Sequence, residues 1–129
     1  MARDMLKVPS GSKLGLGFSR AVRVGDMVFV SGCAPIAPDG GVAAPGDVKA
    51  QTMRCLEIIE GALVQAGADI KDVVRTRVFL TDMSRWKEAG EAHGEVFKDI
   101  EPATSFLGTS ALINSGWLVE VEADAVVTR

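Results

Sequence analysis

The chain has 129 residues, the length of one domain with a single core, and a formal net charge of −3 from 14 basic and 17 acidic residues. It contains no basic run that could neutralise phosphates, so nucleic-acid binding is not expected. Two cysteines are too few to cross-link a domain of this size, which favours a reducing compartment, the cytoplasm.

The apolar residues predict a domain of sheet packed on helix. Hydrophobic residues make up 47% of the chain but aromatic residues only 5%, so the core is expected to consist of Val, Leu, Ile and Ala. No apolar run approaches the length of a membrane span, and the N-terminus lacks the apolar core of a secretion signal. We treat residues 1–129 as one domain that begins with a loose, glycine-containing arm over residues 1–16.

The order of the predicted elements is β-β-α-β-α-β-β. Five strands are expected, over residues 18–24, 27–31, 72–81, 104–111 and 118–127. The first helix is capped by Asp47 and ended by Gly67, and the second runs from Asp82 or Ser84 to about Lys98. Two helices cannot cover both faces of such a sheet. The predicted fold class is therefore α+β, a single-layer mixed sheet with both helices on one face.

Charged side chains mark the other face of the predicted sheet. Glu120, Glu122 and Asp124 alternate with apolar residues in the last strand, so they point the same way. Arg75 and Arg77 share a face of an earlier strand, which suggests cross-strand pairs with the acids. Two interpretations remain open: a solvated face with ordinary ion pairs, or charges that line a cleft between subunits.

Two further residues carry side chains that can take part in chemistry. His93 is the single histidine and lies among apolar residues of the second helix, so a core or interface position is favoured over catalysis. Without a second histidine the spacing is not that of a metal site, and we expect neither a metal nor a cofactor. Cys33 follows Gly32 at the mouth of the expected pocket, where a small buried side chain is favoured over a reactive thiol.

Four segments carry a family resemblance: VFVSG at 28–32, TRVFLTDM at 76–83, EPATS at 101–105 and LVEVEADAV at 118–126. Together they resemble the RidA/YjgF family of reactive-intermediate deaminases, small trimeric proteins that hydrolyse enamines and imines. The resemblance covers residues 18–127. It implies a chorismate-mutase-like fold in which three chains form a barrel, with a small-molecule site at each subunit interface.

The resemblance also assigns roles to single residues. It implies that Glu120 orients the water that attacks the imine and that the backbone N–H of Gly32 binds a substrate carboxylate. Phe18 stands where the family has a tyrosine that frames the site. Thr104 stands in place of the arginine that grips the carboxylate, and Ser105 matches the serine that follows.

Two more family positions differ in this chain. Phe106 replaces a common cysteine, and Gly90 replaces an asparagine of the second helix. An arginine fork makes two charge-assisted bonds to a carboxylate that threonine cannot reproduce. The chain is therefore expected to belong to a subgroup that lacks the substrate-binding arginine. The residues expected to contact a ligand are Phe18, Gly32, Cys33, Gly90, Thr104, Ser105 and Phe106.

Three functions follow from the resemblance, in this order. The first is a homotrimer that binds a small metabolite and hydrolyses an atypical enamine or imine, with weak or absent 2-imino-acid deaminase activity. The second is a working deaminase in which Arg20 or Arg77 replaces the missing arginine. The third is a non-catalytic regulatory or interaction protein.

Overall fold

The computed structural model describes residues 5–128 and has the predicted α+β architecture. In this part of the chain neither α-helix is long and apolar enough to cross a membrane. The elements in chain order are β1 (Met5–Pro9), β2 (Ser19–Val24), β3 (Met27–Cys33), α1 (Val48–Gln65), β4 (Val73–Leu80), α2 (Trp86–Phe97), β5 (Ala103–Gly108) and β6 (Val119–Val126).

The six strands form one mixed sheet in the order β1-β2-β3-β6-β4-β5. All neighbouring pairs are antiparallel except β4 and β5, which are parallel and joined by the crossover helix α2. The last strand of the sequence, β6, therefore lies in the middle of the sheet. It carries side chains to both faces and so helps to build both the core and the open surface.

The helix ends follow the predicted chemistry in α1 but less closely in α2. Asp47 accepts a hydrogen bond from the backbone N–H three residues on, at 2.9 Å, and so caps α1. Gly67 follows the helix with a φ of +77°, a conformation that glycine adopts without steric cost. Asp82 caps a short 3₁₀ turn, Met83–Arg85, and α2 itself begins only at Trp86.

The core lies between the sheet and the two helices. Buried residues of β3, β4 and β6 face one side, and the apolar stripe of α1 packs on them. The central members are fully buried or nearly so: Val28, Val30, Leu56, Ile59, Leu63, Val78, Leu80, Val119 and Val121. As expected from the composition, aliphatic side chains fill most of this space.

The start of the chain differs from the prediction. Residues 1–4 lie outside the described residues, but Met5–Pro9 forms the edge strand β1 rather than part of a loose arm. Val8 is buried opposite Ala21 of β2, and this contact holds the strand on the sheet. A short edge strand is difficult to recognise from its sequence, because it is stabilised mainly by pairing with the neighbouring strand.

Two strands also depart from the predicted pattern. In β4, a register shift between Val73 and Arg75 turns Val73 into the core and leaves Val74 exposed. The strand predicted over residues 104–111 ends at Gly108. The residues that follow form an irregular loop, which leads to β6.

Replacing Leu63 by Ala tests the position of the core. Leu63 is 0% exposed in α1, whereas its neighbour Val64 is 64% exposed. We expect Leu63→Ala to lower the free energy of unfolding by about 2–5 kcal/mol and Val64→Ala to change it by less than about 0.5 kcal/mol. Urea unfolding followed by circular dichroism measures both. Similar losses in the two variants would contradict the assignment of the core face.

Candidate functional site

The face of the sheet away from the helices carries an ion-pair cluster. Arg77 Nη1 lies 3.1 Å from Glu122 Oε1 and 3.7 Å from Asp124 Oδ2. Arg75 lies opposite Asp124 in the β4–β6 register. The cross-strand pairing predicted from side-chain alternation is thus confirmed for Arg77. Exposed Phe29, with 43% of its surface accessible, is also opposite Asp124, on β3.

A cavity of about 480 Å³ opens beside Glu120 at one end of this face. We call it the Glu120 cavity. Its apolar wall comes mainly from the segment before β2 and the loop before β6, and its charged groups come from β2 and β6. The residues that define it are Leu14, Leu16, Phe18, Arg20, Gly32, Ile113, Trp117 and Glu120.

Arg20 ties the β2 and β3 walls of the Glu120 cavity together. Its Nη1 donates to the carbonyl oxygen of Gly32 at 2.7 Å and to Ser31 Oγ at 3.0 Å. Its guanidinium carbon lies 5.8 Å from the ring centroid of Phe18, within cation–π range. Phe18, Arg20 and Gly32 are therefore held in one fixed group.

The carboxylate of Glu120 lies directly against Gly32. A β-carbon built on Gly32 would lie 2.7 Å from Glu120 Oε2, closer than real β-carbons approach, so a larger residue would displace the acid. Burial raises the pKa of the Glu120 carboxyl above its ordinary value, while the positive charge of Arg20 acts in the opposite direction. The acid is therefore partly sheltered, and it occupies space that only glycine at position 32 leaves open.

A second cavity, of about 600 Å³, lies between α2 and β5 on the helix-covered side of the sheet. We call it the Thr104 cavity, defined by Trp86, Gly90, His93, Thr104 and Phe106. The Trp86 and Phe106 rings meet edge to face with centroids 6.0 Å apart, and Phe106 is 5.9 Å from the His93 ring. The wall of the cavity is therefore mainly aromatic, and Gly90 leaves open space on the helix side.

Three polar side chains form a buried network at the base of the Thr104 cavity. Thr76 Oγ1 lies 2.8 Å from His93 Nε2 and 2.7 Å from Thr104 Oγ1. Thr104 Oγ1 also lies 3.0 Å from the carbonyl oxygen of Pro102 and 3.4 Å from His93 Nε2. Burial lowers the pKa of His93, so the ring is held neutral.

The two cavities belong to opposite faces of the same sheet. Glu120 pairs in register with Phe79 on the open face, whereas Thr104 pairs with Thr76 on the face covered by the helices. Strand β4 also separates the strands that carry them. One chain therefore cannot join Glu120 and Thr104 in a single cavity.

Comparison with known proteins identifies the family. The chain matches the family described as Endoribonuclease L-PSP over residues 13–127. It belongs to that family. A RutC family protein of Pyrococcus abyssi is 35% identical over 125 residues, which covers 97% of this chain and 98% of the relative.

Solved structures of the family have the same fold. A Mycobacterium tuberculosis member of the YjgF family is 47% identical, with a TM-score of 0.87 over 96% of this chain and 100% of that chain. The crystal structure of E. coli TdcF with bound serine is 26% identical, with a TM-score of 0.81 over 99% of both chains. The family named from the sequence motifs is therefore confirmed.

The site positions taken from the family resemblance fall into two groups. Phe18, Gly32 and Glu120 line the first cavity. Gly90, Thr104 and Phe106 line the Thr104 cavity. Only the family resemblance links these residues to the first group. The assignment of either group to ligand binding is a prediction.

Two candidate residues lie apart from both cavities. Cys33 is completely buried, and burial raises the pKa of its thiol to about 11, so it belongs to the core and not to the pocket mouth. Ser105 lies opposite Arg77 on the open face, because neighbouring residues of β5 point to opposite sides. Its alternation with Thr104 could have been recognised from the sequence.

The cation beside Glu120 is Arg20 rather than Arg75 or Arg77. The sequence placed the arginines of β4 near the acid, but the register sets Arg77 opposite Glu122 and Phe79 opposite Glu120. Arg20 comes from β2 and acts on the acid across β3. Within residues 5–128, no three His, Cys, Asp or Glu side chains are grouped as a metal site requires.

Sequence reasoning missed Trp117 and the support of its loop. The buried amide of Gln51 in α1 donates to the carbonyl oxygen of Gly116 at 3.0 Å and accepts from the backbone N–H of Leu118 at 2.9 Å. These two bonds fix Trp117 in the wall of the Glu120 cavity. Ile113, in the same loop, is 93% exposed. A large apolar residue in a loop can indicate a binding surface, and this signal was present in the sequence.

Glu120→Gln tests the environment of the acid. When folding raises the pKa of a carboxyl, the protonated group stabilises the folded state at pH values below the pKa of the unfolded chain. This stabilisation is lost as the pH rises through the pKa of the folded state. We therefore expect the variant to have a higher melting temperature than the wild type at pH 8, with the gap closing near pH 4, where Glu120 is protonated. Differential scanning fluorimetry across this range measures the gap.

Glu122→Gln is the matched control on the same strand. It removes a partner of Arg77, so it should leave the melting temperature at pH 8 unchanged or lower it slightly. A Glu120→Gln variant that is less stable than the wild type at pH 8 would show that the carboxylate is stabilised by a structural pair.

Proposed function

We propose that the chain forms a homotrimer whose small-molecule site lies between subunits, with the Glu120 cavity of one chain facing the Thr104 cavity of the next. The observation that carries this proposal is the location of Glu120 and Thr104 on opposite faces of one sheet, which separates the two groups of family site positions. A cyclic assembly brings such complementary surfaces together. The relatives support a small-molecule-binding role, and TdcF was crystallised with bound serine.

The open face of the sheet supports the trimer. Three large apolar side chains of the sheet strands are exposed to solvent: Met27, Phe29 and Leu107. Phe29 lies opposite Asp124 of the Arg77 ion-pair cluster, whose side chains are only partly accessible to solvent. In a single chain these apolar side chains stay exposed to water, which is unfavourable unless other copies of the chain cover them.

The proposed chemistry is the hydrolysis of an enamine or imine by a water that Glu120 activates. The carboxylate takes a proton from water as the water oxygen attacks the imine carbon, and it returns that proton to the imine nitrogen to give a carbinolamine. The hydroxyl proton of the carbinolamine then passes through the same carboxylate to the nitrogen as the carbon–nitrogen bond breaks, which gives a carbonyl compound and ammonia and leaves Glu120 ionised. A sheltered carboxylate with a raised pKa matches this proton transfer at neutral pH better than an exposed one. Gly32 leaves room for the acid, and Arg20 holds the neighbouring end of β3 through its bonds to Ser31 and Gly32.

The standard 2-imino-acid activity is proposed to be weak, placing the chain in a subgroup without the substrate-binding arginine. Thr104 stands at that position, and its hydroxyl is already bonded to Thr76 and Pro102. A second candidate is an efficient deaminase in which Arg20 binds the substrate carboxylate, because Arg20 lines the same cavity as Glu120. We propose the cytoplasm as the compartment; both cysteines are free thiols.

The trimer is tested by replacing Phe29 with Glu. This change puts a negative charge on the open face opposite Asp124, so close approach of another copy becomes unfavourable. Light scattering at micromolar concentration should give three times the chain mass for the wild type and the single-chain mass for Phe29→Glu. Val64→Glu, on the exposed side of α1, should remain trimeric. A monomeric wild type would contradict the assembly.

The reaction is tested with a freshly generated iminopyruvate-type substrate, following ammonia release. Loss of a two-bond contact to the carboxylate costs a few kcal/mol, so the rate should be about 10²-fold or more below that of an arginine-bearing relative. Glu120→Gln should abolish the remaining activity, and Thr104→Arg should raise it. If the wild type is as fast as the relative and Arg20→Gln slows it, the second candidate replaces the first.

A further inference from the structure

The base of the Thr104 cavity has a fixed hydrogen-bond polarity. Thr104 Oγ1, Thr76 Oγ1 and His93 Nε2 lie within hydrogen-bond distance of one another, and Thr76 is completely buried. His93 is only 9% exposed. Each hydroxyl has one proton to donate, and a neutral histidine carries one proton on either ring nitrogen. The number of protons therefore limits what the network can offer to a ligand.

Both histidine tautomers use the Thr104 proton inside the protein. With the proton on Nε2, His93 donates to Thr76, Thr76 donates to Thr104, and Thr104 donates to the carbonyl oxygen of Pro102. With the proton on Nδ1, Thr76 donates to His93, and Thr104 must donate to Thr76. With the proton on Nδ1, the Thr104 proton is used in the bond to Thr76, and with the proton on Nε2 a ligand acceptor would have to displace the bond to the Pro102 carbonyl. Thr104 keeps an unused lone pair in both cases, so accepting from a ligand costs no bond within the protein.

We infer that the Thr104 cavity selects a ligand that presents an N–H or O–H donor on a flat apolar body, and rejects a carboxylate at this position. This deepens the proposed function and rests on its use of the same cavity. A carboxylate would bring its acceptor oxygens against the acceptor oxygen of Thr104 and lose its hydration without a partner. A neutral amide, amine or alcohol can instead donate a hydrogen bond to the unused lone pair of Thr104 Oγ1.

The walls of the cavity supply the surface for the apolar body. Trp86 and Phe106 present aromatic faces and edges, and a β-carbon on Gly90 would come no closer than 3.9 Å to Phe106 Cζ, so there is open room beside the ring. Lys87 and Glu91 at the rim carry opposite charges and do not favour an anion over a cation. The specificity-determining groups are therefore Thr104, Trp86 and Phe106.

Benzamide and benzoate test this inference, because they share one flat ring and differ in the group that meets Thr104. Binding is measured by titration in two-dimensional NMR, with the two indole N–H signals as local reporters. Trp86 lines the Thr104 cavity and Trp117 the Glu120 cavity. We expect benzamide to shift the Trp86 signal and to bind about tenfold or more tightly than benzoate.

Variants separate the polarity of Thr104 from general effects on the fold. Thr104→Val keeps the shape but removes the acceptor, so the preference for benzamide should disappear, while Thr104→Ser should retain it. Thr109→Val, at a threonine outside both cavities, is the matched control and should bind like the wild type. Gly90→Leu should occlude the cavity and prevent binding of both probes.

Three outcomes would overturn the inference. These are benzoate binding at least as tightly as benzamide, a shift confined to Trp117, and no binding of either probe at millimolar concentration. A preference for benzamide that survives in Thr104→Val would likewise assign the selectivity to another group. None of these outcomes decides the proposed function, which depends separately on the trimer mass and on imine hydrolysis.

Discussion

Side-chain alternation along β6 is the constraint on which the rest of the structure depends. Because Val119 and Val121 must lie under α1 to complete the core, the residues between and after them are forced to the other face. Glu120 and Glu122 are therefore carried on an open surface by the same strand that holds the centre of the domain together. The acid proposed for chemistry gains a rigid position from the packing behind it.

The crossover through α2 has an equally direct effect at the sheet edge. Parallel pairing of β4 and β5 requires a connection that returns over the sheet, and α2 makes that return. The helix consequently brings His93 over the two strands, where Thr76 and Thr104 lie side by side. A buried polar network and an aromatic cavity both arise from one connection.

The sequence predicted the elements better than their mutual positions. Asp47 and Gly67 carry local signals for the ends of α1, and the alternation around Glu120 is visible in the strand itself. The bulge at Val74 has no such signal, because it depends on how β4 aligns with β6. The proximity of Arg20 to Glu120 was hidden for the same reason: it requires the order of three strands, which side-chain periodicity does not contain.

The buried network beneath Thr104 also bears on how this chain could change during evolution. Residue 104 contacts Thr76 in the core, so a substitution there alters a hydrogen bond that helps to satisfy a fully buried hydroxyl. After such a substitution the Thr76 hydroxyl keeps only His93 Nε2, 2.8 Å away, as a side-chain partner. Loss of one hydrogen bond costs about 0.5–1.5 kcal/mol, a noticeable share of the stability of a small domain. A longer residue at position 104 is therefore gained at some cost in stability. Changes at Thr76 or His93 can recover that cost, so the pocket and the core beneath it are expected to change together.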